Sequence, residues 1–297
     1  MFLLHILPVS FEQGLSYALV ALGIALAFRV LAFPDLTVDG SFPLGGAVAA
    51  RLIVEGWDPI LASFCGMLAG FVAGCLTGIM NTRFKINSLL AGILMMTMLW
   101  SVNLRIMGRA NTQLMTVDTI LTPMENMTIG RELPVIIFFL VVCMAFKLAT
   151  DWFLHTEYGL AVRATGDNEQ MIRSLGLNTD NATVLGLGIS NALVALAGAL
   201  IAQNQGFSDV QMGVGMIVAG LAAIIIGEAL IAPKTVFRLT LAAVVGSVVY
   251  NFIMVLGMRL GLPPTDLKLA TGLMVVLALG IPALKSGRPG KVHLRGV

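Results

Sequence analysis

Apolar stretches long enough to cross a bilayer recur from one end of this sequence to the other. They lie at about 12–33, 37–54, 59–81, 87–107, 133–151, 182–202, 213–231, 238–257 and 268–284. A spanning helix needs about 20 predominantly apolar residues, and backbone in lipid has to satisfy its own hydrogen bonds. The pattern dictates an all-α polytopic membrane protein with about 8–10 transmembrane helices, the whole chain, 1–297, forming one transmembrane domain. The second and seventh stretches are short or interrupted, and either is expected to be a broken or re-entrant segment. Only 11% of residues are charged, against about 25% in soluble domains. The first stretch lacks a basic leader and a small-residue cleavage site, so it is read as a retained span.

Positive charge sets the orientation. Arg83 and Lys85, then Lys147, Arg163 and Arg173, then Lys234 and Arg238, then Lys285, Arg288, Lys291 and Arg295 all fall on one side if the spans alternate. That side is predicted to be cytoplasmic. Glu55, Asp58, Asp118, Glu125, Glu132 and Asp209 fall opposite. Nine spans place the N-terminus outside.

Several functions are excluded. No G-x-x-x-x-G-K-[ST] occurs, so this chain has no P-loop to hydrolyse ATP. The motifs H-E-x-x-H and G-x-S-x-G are missing. Cys65, Cys75 and Cys143 lie in apolar runs and form neither a disulfide framework nor a zinc spacing. A net charge of +2 suggests no nucleic-acid partner.

Polar residues inside apolar runs are the candidates for a translocation path. Between Phe33 and Gly46, two prolines and three glycines surround Asp35 and Asp39, with Thr37 and Ser41 alongside. Irregular backbone at membrane depth survives only where protein buries it or water lines it. One reading is a discontinuous helix beside a path; the other is a solvated turn before an ordinary span. Asn191 and Asn251 are further candidates, each also suited to bonding between helices. Asn103 and Arg105 lie toward the outer end of their span, where Arg105 can snorkel to the interface, and Glu228 is read as wet at the inner end of its span. Gly66, Gly70, Gly74 and Gly78 recur every fourth residue, a face for close helix packing, inside the subunit or between subunits.

A polar island, 157–178, separates the fifth and sixth runs. Asp167 is a helix-start residue with Gln170 three positions on, as in a capping box. Arg173 suits the last turn, and Gly176 a stop. Such a two-turn helix is marginal alone. Met171, Ile172 and Leu175 offer it an apolar stripe. Either it packs on its own protein or it is a cytoplasmic docking element for another.

The run Thr165-Gly166-Asp167-Asn168-Glu169-Gln170-Met171-Ile172-Arg173-Ser174-Leu175-Gly176-Leu177-Asn178 resembles the membrane permease subunits of ABC importers of the branched-chain amino acid and ribose class. Gly166, Asn168, Glu169, Gly176 and Asn178 match the family's G-x-N-E and S-G-I-N elements. Ala195-Leu196-Ala197-Gly198-Ala199 and the Gly213–Gly227 stretch follow in the family's order, and Asp35–Ser41 is similar to an element of its sugar branch. Glu228, Ala229 and Asp39 depart from the pattern. The resemblance implies that Gly166, Asp167, Asn168, Glu169, Met171, Ile172, Arg173, Leu175 and Gly176 form a coupling helix docking into a groove of a separate ATPase. It further implies two ATPase copies carrying ATP and Mg, with no cofactor on this chain. A second, identical permease subunit (a homodimer) and a periplasmic or lipid-anchored solute-binding protein complete the assembly. The setting is the bacterial cytoplasmic (inner) membrane, and the chain is a transport subunit rather than an enzyme. The expected substrate is an amino acid, branched or aromatic, with sugars, nucleosides and vitamins as alternatives. An ion-coupled secondary transporter is the alternative of another class, which would ignore ATP depletion.

Overall fold

Each apolar run becomes a helix whose ends are closed by the residues beside it. The computed structural model describes residues 2–125 and 132–261, with 263, 266, 267, 269–274 and 276 beyond them. Helix α1 (Phe2–Ala25) runs directly into a π-helical turn, Leu26–Val30. Then come α2 (Val38–Val54), α3 (Pro59–Thr82) and α4 (Ser88–Met107). The side chain of Asp58 caps α3 ahead of Pro59, and that of Asn87 caps α4, which ends on left-handed Gly108. A three-residue strand β1 (Asn111–Gln113) and a single turn α5 (Thr122–Glu125) lead to α6 (Glu132–His155) and α7 (Glu157–Ser174). The chain closes with α8 (Thr179–Gln205), strand β2 (Phe207–Asp209), a 3-10 turn (Val210–Gly213), α9 (Met216–Ile231) and α10 (Val236–Arg259).

The protein is an all-α multi-pass membrane protein, and among the described residues seven helical segments are long and apolar enough to cross a bilayer. The expected second span is α2, whose 17 residues reach about 26 Å at 1.5 Å per residue. That is short of a hydrocarbon layer of about 30 Å, and α2 is not among the seven. The seventh is interrupted: its 3-10 turn and Gly215 (φ 90°) precede α9. The expected ninth span, at about 268–284, and the basic tail lie largely or wholly outside the described residues.

Helices α1 and α8 are the most buried, and α4 and α6 keep most of their surface outside the bundle. The central apolar cluster joins α1, α6, α8, α9 and α10, with Leu19, Leu22, Ile24, Phe139, Leu200 and Ile224 almost fully enclosed. Beside it, α3 packs on α8, and α2 is wedged between them. The four-residue glycine repeat lies along this seam, inside the subunit. Gly66 faces the Gly45 carbonyl, and Gly70, Gly74 and Gly78 face Asn191, Leu187 and Val184 backbone atoms of α8. A Cβ there would run into main chain, which cannot step aside as a side chain does. The opposite face of α3 presents Ile60, Phe64, Leu68, Val72 and Leu76 outward. Strands β1 and β2 pair antiparallel, Thr112 opposite Ser208, tying the segment after α4 to the one after α8.

Gly74→Leu is expected to separate α3 from α8, at a cost of about 1–3 kcal/mol or more from overpacking. Val72→Leu, on the exposed face, is expected to be silent. Thermal melting of the detergent-solubilised protein distinguishes them; equal melting of the two variants would contradict the seam.

Candidate functional site

Chain geometry is least regular where α1 gives way to α2. After the π-turn, Ala32 takes a positive φ of 54° and the backbone stays irregular until a turn at Leu36 and Thr37 opens α2. Leu31 and Phe33 donate their amides to the Leu26 and Ala27 carbonyls, and Pro34 has no amide to satisfy. Asp35, fully buried, accepts from the Thr37 amide at 2.8 Å and from Asn191 Nδ2 at 2.6 Å. Asn191 also donates to the Leu187 carbonyl and accepts from Ser41 Oγ at 2.6 Å. Thr37 and Thr77 share a 2.8 Å hydroxyl bond. The fold thus brings four path candidates, Asp35, Thr37, Ser41 and Asn191, into one closed network with Thr77 of α3. All five are essentially inaccessible, so in this conformation they brace the break and line no open channel. Asn191 lies eight residues along α8 from Thr183, which borders the cleft described below, so the network sits roughly 12 Å inside the bundle.

Asp39 goes elsewhere. Its carboxylate accepts from the Gly215 and Ile217 amides at 3.1 and 3.0 Å and caps α9 from across the bundle. Gly215 has no side chain to do so, and an acid suits a helix N-terminus. Asn251, on α10, donates to the Ser247 carbonyl of its own helix. It borders a cavity of about 490 Å³ between α1, α9 and α10, with Tyr17, Tyr250, Met216 and Met254 in its wall.

The polar island is helical from Glu157 to Ser174, ten residues ahead of the helix start expected at Asp167. One residue, Asn168, is extended (φ −157°, ψ 93°) and divides it in two. Asn168 Oδ1 accepts from the Met171 amide at 3.0 Å, so the cap of the second piece is Asn168 rather than the expected Asp167. That piece ends as expected, with Gly176 at φ 84°. Arg173 does more than sit in the last turn. It binds Glu169, Thr179 and Asp180, fastening the piece to the start of α8. Ile172 is buried, while Met171 (59% exposed) and Leu175 (66%) face outward. The apolar stripe therefore divides into an inward anchor and two free side chains. Gly166 packs its backbone against Val30 and Leu31 at the π-turn. A cleft of about 610 Å³ opens beside the piece, bordered by Lys85, Glu169, Arg173 and Asp180.

Two charged contacts differ from the sequence reading. Glu228, expected to be wet, is enclosed and paired with Arg29 of the π-turn at 2.5 Å. Lys147, counted among the loop cations, is wholly buried in α6, bonded to Asp151 at 2.6 Å and lying over the Phe237 ring. Asp151 in turn accepts from Thr240 of α10. The i,i+4 spacing of Lys147 and Asp151 was the readable signal; Arg29 and Glu228, 199 residues apart, gave none. Among the described residues, no group of three or more His, Cys, Asp or Glu side chains is placed to hold a metal.

A family model described as branched-chain amino acid transport system / permease component matches residues 10–279. The chain is similar to a tyrosine transport system permease protein of Clostridioides difficile, 41% identical over 90% of this chain and 88% of that one. It is 34% identical to an uncharacterized protein of Rickettsia prowazekii over 93% and 97%. It is 25% identical to the ribose import permease protein of Escherichia coli over 73% and 67%. No solved structure matches.

Asn191→Leu strands the Asp35 carboxylate and the Ser41 hydroxyl in a dry interior, and is expected to cost about 3–5 kcal/mol. Asn251→Leu removes a bond within one helix at a cavity wall, and about 1 kcal/mol is expected. Comparative thermal unfolding checks the ranking.

Proposed function

Because the chain belongs to the branched-chain amino acid transport permease family, we propose that it is the membrane subunit of an ATP-driven importer in which piece 169–174 of α7 and Leu175 seat a separate ATPase. A permease component is a transport subunit, not an enzyme. The observation that carries the docking assignment is the pair of outward side chains, Met171 and Leu175, on a short helix already fixed by Asn168, Ile172 and Arg173. A helix with an inward anchor has no folding need for two exposed apolar residues; a partner's groove gives them one.

Membership of this family supports the remaining parts of the proposal. Two copies of this chain form one path, two ATPases bind their inner faces, and an external binding protein delivers the solute across a bacterial cytoplasmic membrane. ATP-driven closure of the ATPase pair draws the two α7 pieces together and switches the path by alternating access. An amino acid with an aromatic or branched side chain is the favoured substrate. The relative bearing a tyrosine transport name is far more similar than the ribose permease, and the cavity beside Asn251 has aromatic rings and thioethers in its wall. An ion-coupled mechanism is disfavoured, because Asp35, Glu228 and Asp151 are all engaged in bonds that hold helices together.

Met171→Asp is expected to weaken ATPase association by about 2 kcal/mol or more, roughly 30-fold. Arg173→Glu is expected to loosen the piece from α8 and lower uptake while the protein still inserts. Co-purification with the ATPase and uptake into proteoliposomes read both; normal association and uptake in both variants would refute the docking site.

A further inference from the structure

The charge pair between Arg29 and Glu228 sits where three moving parts meet. Arg29 lies on the π-turn that ends α1, and π-turns inside helices are often kept for function. The next residue, Val30, is pressed by the Gly166 backbone of α7, so closely that even a methyl at Gly166 would collide with the Val30 carbonyl. Glu228 is in the last turn of α9, the helix that forms one wall of the 490 Å³ cavity. The other end of α9 is held by Asp39. A displacement of α7 therefore reaches the π-turn by direct backbone contact, and reaches the last turn of α9 through the Arg29–Glu228 bond, while Ile24 of α1 packs on Gly220 further along the same helix.

The pair is also incomplete. Arginine and glutamate can make two parallel bonds, yet only Nη2 and Oε2 meet here. Arg29 Nε and Glu228 Oε1 are both buried and have no partner. Those are the atoms a second, parallel bond would use. A pair of this kind, with Glu228 enclosed and Arg29 partly exposed, adds little to stability compared with apolar packing, so its presence calls for another explanation.

We infer that Arg29 and Glu228 are positioning residues for transport, forming the joint through which movement of α7 is passed to the α9 wall of the cavity. The inference rests on the docking role given to α7 above. The test uses the assembled transporter with its ATPase and binding protein in proteoliposomes, scoring solute taken up per ATP hydrolysed and ATPase retained on the permease. Arg29→Gln and Glu228→Gln are expected to lower uptake per ATP by about tenfold, within the range of known coupling energies, with the ATPase still bound. The exchange of charges, Arg29→Glu with Glu228→Arg, is expected to restore much of it. A contact that only supported the fold would lower the yield of assembled protein, not the yield of solute per ATP. Should the glutamine variants fail to assemble, Glu228→Asp, which keeps the charge but withdraws it by one methylene, replaces them. Uptake per ATP is then expected to fall several-fold with the ATPase still bound. Unchanged uptake per ATP in the variant that assembles, or no rescue by the exchange, would each overturn the joint. Normal ATPase retention in Met171→Asp would overturn the docking site and the joint with it.

Discussion

Backbone that leaves the helix inside an apolar layer has to find its hydrogen bonds in protein, and the meeting of Asp35 with Asn191 is how this chain does so. A carboxylate that receives the Thr37 amide on one oxygen and an Asn191 amide proton on the other turns an irregular segment into a fixed joint. The consequences spread outward. Helix α2 begins inside the bundle, which lets 17 residues suffice for it. It lies close to α8 and α3 because glycines stand wherever main chain meets main chain: Gly45 on the Ala195 carbonyl, Gly198 on that of Phe42, Gly66 on that of Gly45. Asp39, one turn further along, closes the end of α9. Two acids that look similar in sequence thus do separate jobs, one bracing a break and one starting a helix.

The α7 end of the bundle shows the opposite economy. Charges there are tied in pairs, Arg29 to Glu228, Lys147 to Asp151, Arg173 to Glu169 and Asp180. Of the apolar stripe on the short piece of α7, Ile172 is buried and Met171 and Leu175 are left out. Polar bonds fix the position of the piece and leave its apolar surface available, which is the arrangement a docking element needs and a passive connector does not. Burying Met171 and Leu175 on the chain's own spans would have been the simpler fold.

Much of this was readable from residues alone. The apolar runs located the seven spanning segments and the shorter α2 to within a few positions, because length and hydropathy are local properties. Asn191 stood out because an amide in an apolar run needs a partner. Its partner was not readable, since Asp35 is 156 residues away. The cap of the short helix slipped by one, from Asp167 to Asn168. Both are good caps, and the choice depends on where the preceding helix ends, which the polar, aperiodic stretch 157–167 did not disclose. Lys147 was grouped with the cations around the polar island because positive charge marks the cytoplasmic side; Asp151 one turn on and the Phe237 ring hold it inside the bundle, with Thr240 bonded to Asp151. Glu228 was read as wet from its place at the inner end of its span, and Arg29 encloses it from the other end of the chain.

The central claim is that a separate, ATP-consuming subunit drives this gate through α7. It is tested most directly by the distance between the two copies' α7 pieces in the assembled transporter. A nitroxide at Leu177, exposed and just past the docking side chains, reports that distance by pulsed electron paramagnetic resonance. The account requires the distribution to move to shorter distances when ATP and Mg close the ATPase pair. An identical distribution with and without nucleotide, in complexes whose ATPases have closed, would contradict it.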